Sequence, residues 1–239
     1  MAKSKYKRVL LKLSGESFCK RGEFGIDGAA LESIAKRILE ICKLGPEVAV
    51  VVGAGNFLRG ENLSTVSHIP RNTADYMGML ATIINACALQ EMLEKLGQPT
   101  RVLSAIEVAA ICEQFIRRRA LRHLERGRVA ILAGGTGNPF FTTDTCAALR
   151  ASELEADVVI KATKVDGVYS DDPQINPDAE LFEKLSYNDV LTKNLRVMDH
   201  SAISLCRDNN IPIIVLNIFK KSNITKALCG EQVGTLISE

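Results

Sequence analysis

Two rhythms of apolar residues alternate along the chain. Short runs rich in β-branched residues and apolar at consecutive positions occur at KRVLLKL (7–13), EVAVVVG (47–53), TRVLS (100–104), RVAILAG (128–134), DVVIKAT (157–163) and IPIIVLNI (211–218). They predict strands buried on both faces. Between them lie longer stretches with apolar residues three and four apart: AALESIAKRILEICK (29–43), ADYMGMLATIINACALQEMLEKLG (74–97), FIRRRALRHLERG (115–127) and DTCAALRASELEA (144–156). These predict helices, with a further short helix after residue 218 and a last strand at VGTLIS (233–238). The alternation predicts an α/β fold, an open and mostly parallel sheet sandwiched between helices. The turn-rich segment 166–186, DGVYSDDPQINPDAELFEKLS, reads as an irregular excursion or a small hairpin. With no Pro/Gly/Ser linker and no internal repeat, residues 1–239 are expected to form one domain, softly divided near residue 150.

Composition narrows what such a fold is for. A hydrophobic share of 46% supports a substantial core and excludes disorder as the main state. A net charge of +2 leaves no chain-wide basic excess, so neither nucleic acid nor a membrane surface is an expected partner. The seven cysteines are odd in number and never in a C-x-x-C pair, and they read as small buried apolar residues in a reducing cytoplasm. The opening MAKSKYKRVLLKLSG is basic and then apolar like a signal peptide, but Lys12 interrupts a run of about five apolar residues. No stretch approaches the ~20 apolar residues that cross a bilayer, and a cytoplasmic location is expected.

In open parallel sheets, ligands bind beyond the carboxyl ends of the strands. Four loops at such ends carry unusual chemistry. In KLSGES, Lys12 is the lone charge of its run, followed by Ser14 and Gly15; a snorkelling surface tip is its bland explanation. GAGNFLRGE (53–61) offers successive backbone amides and Arg59, suited to an anion. AGGTGNPFFTTD (133–144) ends in Thr142, Thr143 and Asp144, where a helix should begin; a threonine N-cap and the helix dipole favour phosphate there. Asp144 is suited to capping, to a magnesium-bound nucleotide or to fixing nearby ammonium groups. IKATKVDGVYSDDP (160–173) adds Lys161, Lys164, Asp166, Tyr169 and Asp172. Together the loops predict a cationic, glycine-rich phosphate site. The chain has no Walker motif, no H-R-D or D-F-G set and no obvious general base, a lack that suits an acceptor that is already an anion.

KLSGES, VVVGAGNFLRG, ADYMGMLA, GGTGNPFFTTD, KATKVDGVYSDDP and VGTLIS resemble the bacterial uridylate (UMP) kinases of the amino acid kinase superfamily, in register over essentially the whole chain. The resemblance implies ATP- and Mg2+-dependent conversion of UMP to UDP in pyrimidine nucleotide biosynthesis, by a homohexamer that UTP inhibits. It implies catalytic roles for Lys12, Arg59, Asp144 and Lys161, with Asp144 organising the lysines and the magnesium of the bound nucleotide. It places Lys12, Leu13, Ser14, Gly15, Gly55 and Arg59 at the ATP phosphates, and Thr163, Tyr169 and Asp172 around the adenosine. Asp75 would take the ribose of UMP, with Ala54 and the run Thr136, Gly137, Asn138, Pro139, Phe140, Phe141, Thr142 and Thr143 lining the UMP pocket.

Two departures matter. Ala54 interrupts the family's three-glycine run, and Gln90 and Glu94 stand where an arginine and a histidine are common. Arg101 and Arg128 match the family's GTP effector positions, but the resemblance does not carry GTP activation over to this chain. The helix over 72–97 is the expected subunit contact, or else part of the monomer core. The alternative function is a non-catalytic nucleotide-binding regulator or storage protein on the same fold.

Overall fold

The computed structural model describes residues 3–20, 22–58, 68–173, 175–176, 178–195 and 197–239. Strand β1 (Arg8–Leu13) is buried along its whole length, and its pleat sends alternate side chains to opposite layers. Val9, Leu11 and Leu13 join one core with α1 (Gly28–Cys42), α2 (Arg71–Lys95) and α7 (Asn223–Leu228). Leu10 joins a second core with α3 (Arg117–Glu125), α4 (Thr143–Glu153), α5 (Tyr187–Thr192) and α6 (His200–Asp208). The same division holds in β2 (Glu47–Val52), where Val48, Val50 and Val52 face the first core and Ala49 and Val51 the second. Near-continuous apolar runs are what a strand covered on both faces needs, and the three layers follow.

The main sheet is completed by β3 (Thr100–Ser104), β4 (Glu113–Gln114), β5 (Val129–Ala133), β6 (Val158–Thr163), β9 (Lys184–Ser186), β10 (Ile213–Asn217) and β11 (Thr235–Ser238). Their order is β4-β3-β5-β2-β1-β6-β10-β11-β9, parallel throughout except between β10 and β11. β1 is central: the chain builds the sheet to one side through β2 and to the other through β6. At such a switch point the loops leaving neighbouring strands diverge and open a crevice.

The segment 166–186 resolves into a hairpin of β7 (Val168–Tyr169) and β8 (Leu181–Phe182), followed by β9, which enters the main sheet. Helices α5 and α6 had not been expected. Both are short, so their periodicity is weak, although Ser186 and Asp189 form a capping box that announces α5. The cysteines depart from expectation in part: Cys19, Cys146 and Cys206 are buried, while Cys42, Cys87, Cys112 and Cys229 are half-buried. Burial pushes the thiols of Cys42 and Cys206 up to about 12 and that of Cys146 up to about 11, so these three are packing groups rather than nucleophiles. Among the described residues no helix is long and apolar enough to cross a membrane.

Candidate active site

Pleat and register together place two lysines side by side. Lys12 in β1 and Lys161 in β6 are register partners on adjacent parallel strands, and both point away from the first core, toward α4. Like charges that close are mutually destabilising unless a counter-charge intervenes. Asp144, in the first turn of α4, supplies it, with Oδ1 2.7 Å from Lys12 Nζ and Oδ2 2.8 Å from Lys161 Nζ. Lys161 also donates to the Val197 carbonyl.

Burial would raise the Asp144 carboxyl, but the Lys12 and Lys161 ammonium groups outweigh it and hold the group below the ordinary carboxylate range. Burial lowers Lys161, and Asp144 opposes that shift only in part. Lys12, at 7% exposure, is therefore a buried member of an ion cluster and not a snorkelling tip. The trio of Lys12, Lys161 and Asp144 carries one more positive than negative charge; Asp199 also acts on Lys161, and Lys164 and Glu16 share a cavity lining with the two lysines.

The two phosphate-suited loops interlock. Gly53 N–H donates to the Leu13 carbonyl at 2.9 Å, and a Cβ on Gly15 would lie 2.2 Å from Gly55 N and 2.7 Å from the Ala54 carbonyl carbon. No side chain fits at position 15, which explains that glycine. Leu13 itself points into the core, so its contribution to the site is its backbone.

On one side of this junction lies a cavity of about 530 Å³ lined by Lys12, Ser14, Glu16, Ser17, Lys161, Ala162, Thr163 and Lys164. On the other lies one of about 510 Å³, whose wall includes Ala54, Gly55, Arg71, Asp75, Gly135 and Thr142. Ser14 and Glu16 line both, so the two cavities meet.

The second cavity is shaped by α2 and the 133–144 loop. Gly134 has φ +74°, and a Cβ there would lie 2.8 Å from Ser104 Oγ; both backbone and space demand glycine. Its N–H donates to Thr82 Oγ1 of α2 at 2.8 Å. Phe140 sits at φ 70°, which is strained for a side chain of its size. Its N–H donates to Asp75 Oδ2 at 2.8 Å, while Asp75 Oδ1 pairs with Arg71 at 2.9 Å. Asp75 thus clamps the loop to α2 and does not cap the helix, whose N-cap position is Pro70. Thr142 is the N-cap of α4, accepting from the Asp144 and Thr145 N–H groups, and its hydroxyl donates to Asp199.

The expected residues divide accordingly. Lys12, Ser14, Lys161 and Thr163 line the first cavity, and Ala54, Asp75, Phe141, Thr142 and Thr143 the second; Gly55, expected at the ATP phosphates, stands with the second group, and Asp144 lies behind the lysines in neither lining. Thr136, Gly137, Asn138, Pro139 and Phe140 fall outside both linings; Thr136 Oγ1 instead closes a local turn with Asn138. Tyr169 and Asp172 stand beyond the first cavity, on and beside the β7–β8 hairpin. Arg59 lies outside the described residues.

Arg101 pairs with Glu94 at 2.8 Å and lines a separate cavity of about 570 Å³ with Gln90, Glu113 and Arg119. Arg128 is absent from that lining and lies 3.1 Å from His123 Nδ1. Sequence reasoning missed Arg71, Thr82 and Asp199; only Arg71 left a trace, one helical turn before Asp75.

Among the described residues no group of three or more His, Cys, Asp or Glu side chains is placed to hold a metal. The Asp144 carboxylate is bracketed by two ammoniums, which would oppose a dication there, and Glu16 is the one carboxylate among the described residues that lines both cavities. The donor set does not fit a protein-held Mg2+, and the ion fits only as a counter-charge carried by a polyphosphate.

Residues 7–217 match the family model for the amino acid kinase family. The fold is similar to a UMP kinase from Bacillus anthracis, with a TM-score of 0.94 and 41% identity over 98% of this chain and 96% of that one. A UMP kinase from Ureaplasma parvum is 38% identical with a TM-score of 0.91, each chain being covered completely. A uridylate kinase from Archaeoglobus fulgidus is more distant, at 29% identity and a TM-score of 0.74 over 97% of this chain and all of that one.

Proposed function

The chain belongs to the amino acid kinase family, and from that premise we propose that it transfers the γ-phosphoryl group of ATP to UMP, yielding ADP and UDP. Two cavities that meet at Ser14 and Glu16, with a buried cationic cluster on one side, carry this reading. The cavity with Lys12, Lys161 and Lys164 suits the triphosphate, and the one walled by Asp75, Arg71 and Thr142 suits the acceptor nucleotide. A soft division near residue 150 into an acceptor lobe and an ATP lobe is then incomplete, since the cavity suited to ATP draws Lys12, Ser14, Glu16 and Ser17 from before it.

An oxygen of the UMP phosphate forms a bond to the γ-phosphorus as the bond from that phosphorus to the bridging oxygen of ADP breaks. The acceptor phosphate, with a second pKa near 6, is largely deprotonated at neutral pH, so no general base is required. Lys12 and Lys161 neutralise charge on the moving group, and Asp144 keeps both ammoniums aimed at it. Magnesium, borne by the ATP phosphates, would supply further charge neutralisation.

A homohexamer, inhibition by UTP and a cytoplasmic location belong to the same reading. GTP activation is not carried into it, because Gln90 and Glu94 stand where an arginine and a histidine are common in the family. ADP formation with Mg-ATP and UMP, CMP, dTMP, acetylglutamate or carbamate, each with and without GTP, tests the reading. Turnover with UMP alone is expected, and the lanes with GTP decide whether Gln90 and Glu94 mark a lost effector site; nucleotide binding without turnover on any acceptor would favour a regulator or storage protein.

A further inference from the structure

Two carboxamides, Asn56 and Asn85, are buried at 1% and 0% exposure between the 53–58 loop and α2. They face each other reciprocally. Asn56 Nδ2 donates to Asn85 Oδ1 at 2.9 Å, and Asn85 Nδ2 donates to Asn56 Oδ1 at 2.7 Å. The second proton of each amide goes to backbone: Asn85 donates to Gly53 O and Asn56 to Gly25 O, both at 2.8 Å. The Gly25 N–H returns a bond to Asn56 O at 2.9 Å. All four amide protons are used, and three segments that are remote in sequence converge on the pair.

An apolar pair of similar size would fill this space without desolvating two amides. Hydrogen bonds add direction: they set distance and rotation where apolar packing sets only contact. The backbone so held is Gly53 to Gly55, which abuts Gly15 at the meeting of the two cavities and contributes Ala54 and Gly55 to the acceptor wall. We infer that the Asn56–Asn85 pair is a positioning device for the acceptor phosphate, holding the glycine loop in the one register that lets its backbone meet the acceptor opposite the triphosphate. The inference rests on the UMP kinase reading above. Both residues act through the loop, and neither is in the lining of the two cavities that meet at Ser14 and Glu16.

Asn85→Asp is the informative substitution, because it keeps size and the oxygen facing Asn56 Nδ2 but turns the donor shared by Gly53 O and Asn56 Oδ1 into a second oxygen. A loop misplaced by about 1 Å costs on the order of 10²-fold, and a loss of that size in kcat/KM for UMP is expected. UMP binding in the absence of ATP should weaken in parallel, while ATP binding in the absence of UMP stays at the wild-type level. A purely structural role would lower the urea midpoint and leave the UMP KM of the folded enzyme unchanged, and that result overturns the inference. Should Asn85→Asp fail to fold by circular dichroism, Asn56→Ser decides by the same readouts, since it opens space for a water in place of the amide. Wild-type protein that neither binds nor phosphorylates UMP sinks the functional reading and this inference together; wild-type turnover with unaltered variants sinks the inference alone.

Discussion

A single carboxylate holds the chemistry of this site together. Asp144 separates two ammoniums that neighbouring strands force side by side, so its removal leaves like charges buried without compensation. Breaking such a cluster costs about 3–5 kcal/mol, and Asp144→Asn should lower stability at pH 7 by that order in urea unfolding. Its pH dependence follows from the direction of the shift. The folded carboxyl titrates below its ordinary value of 3.8, so near that pH the unfolded chain binds more protons than the folded one. Its contribution is present above about pH 4 and is lost as pH falls through the folded value; the gap between wild type and Asp144→Asn should therefore narrow on acidification. Lys12→Ala tests the catalytic half of the cluster. Turnover should fall about 10²-fold or more in steady-state assays, and a variant with near-wild-type turnover refutes the role of Lys12.

At the scale of elements, helix termini and one long helix position the loops. The N-cap Thr142 fixes where α4 starts and hence where Asp144 enters the lysine pair. Thr142→Ala should cost about 1 kcal/mol in urea unfolding, and activity should fall with it because the same residue lines the acceptor cavity. Helix α2 works as a rack: Asp75, Thr82 and Asn85 each engage the backbone of a site loop. The glycines of the 133–144 loop stood out in the sequence as backbone needing unusual dihedrals or close approach, which Gly134 meets, and Thr142 as a cap. Thr82 and Asn85 were not, because a polar residue on a largely apolar helix gives no local sign of which remote loop it meets.

The whole molecule has a face that a monomer leaves uncovered. On the side of α2 away from its loop-holding residues, Tyr76, Leu80 and Ile84 recur at four-residue spacing and are 44%, 49% and 51% exposed. A helix apolar on both sides needs a partner on both, and if the proposed hexamer forms, this stripe is where a second copy would pack. Leu80→Glu should shift sedimentation velocity toward smaller species while leaving the far-ultraviolet spectrum intact; unchanged sedimentation would remove α2 from the contact.

Local pattern was enough to read the layered α/β fold, because a strand covered on both faces must be apolar throughout and a covering helix must repeat at its own period. It was also enough to single out Lys12, Asp144 and Lys161, since charge and glycine at the ends of apolar runs stand out against their surroundings. The short helices at 187–192 and 200–208 escaped, being too brief to show a period. Only the tertiary structure decided that Lys12 pairs with Lys161, that Asp144 lies between them, and that the amides of Asn56 and Asn85 meet. Register and crossover bring together residues 132, 149 and 29 positions apart, and no local rule encodes such a meeting.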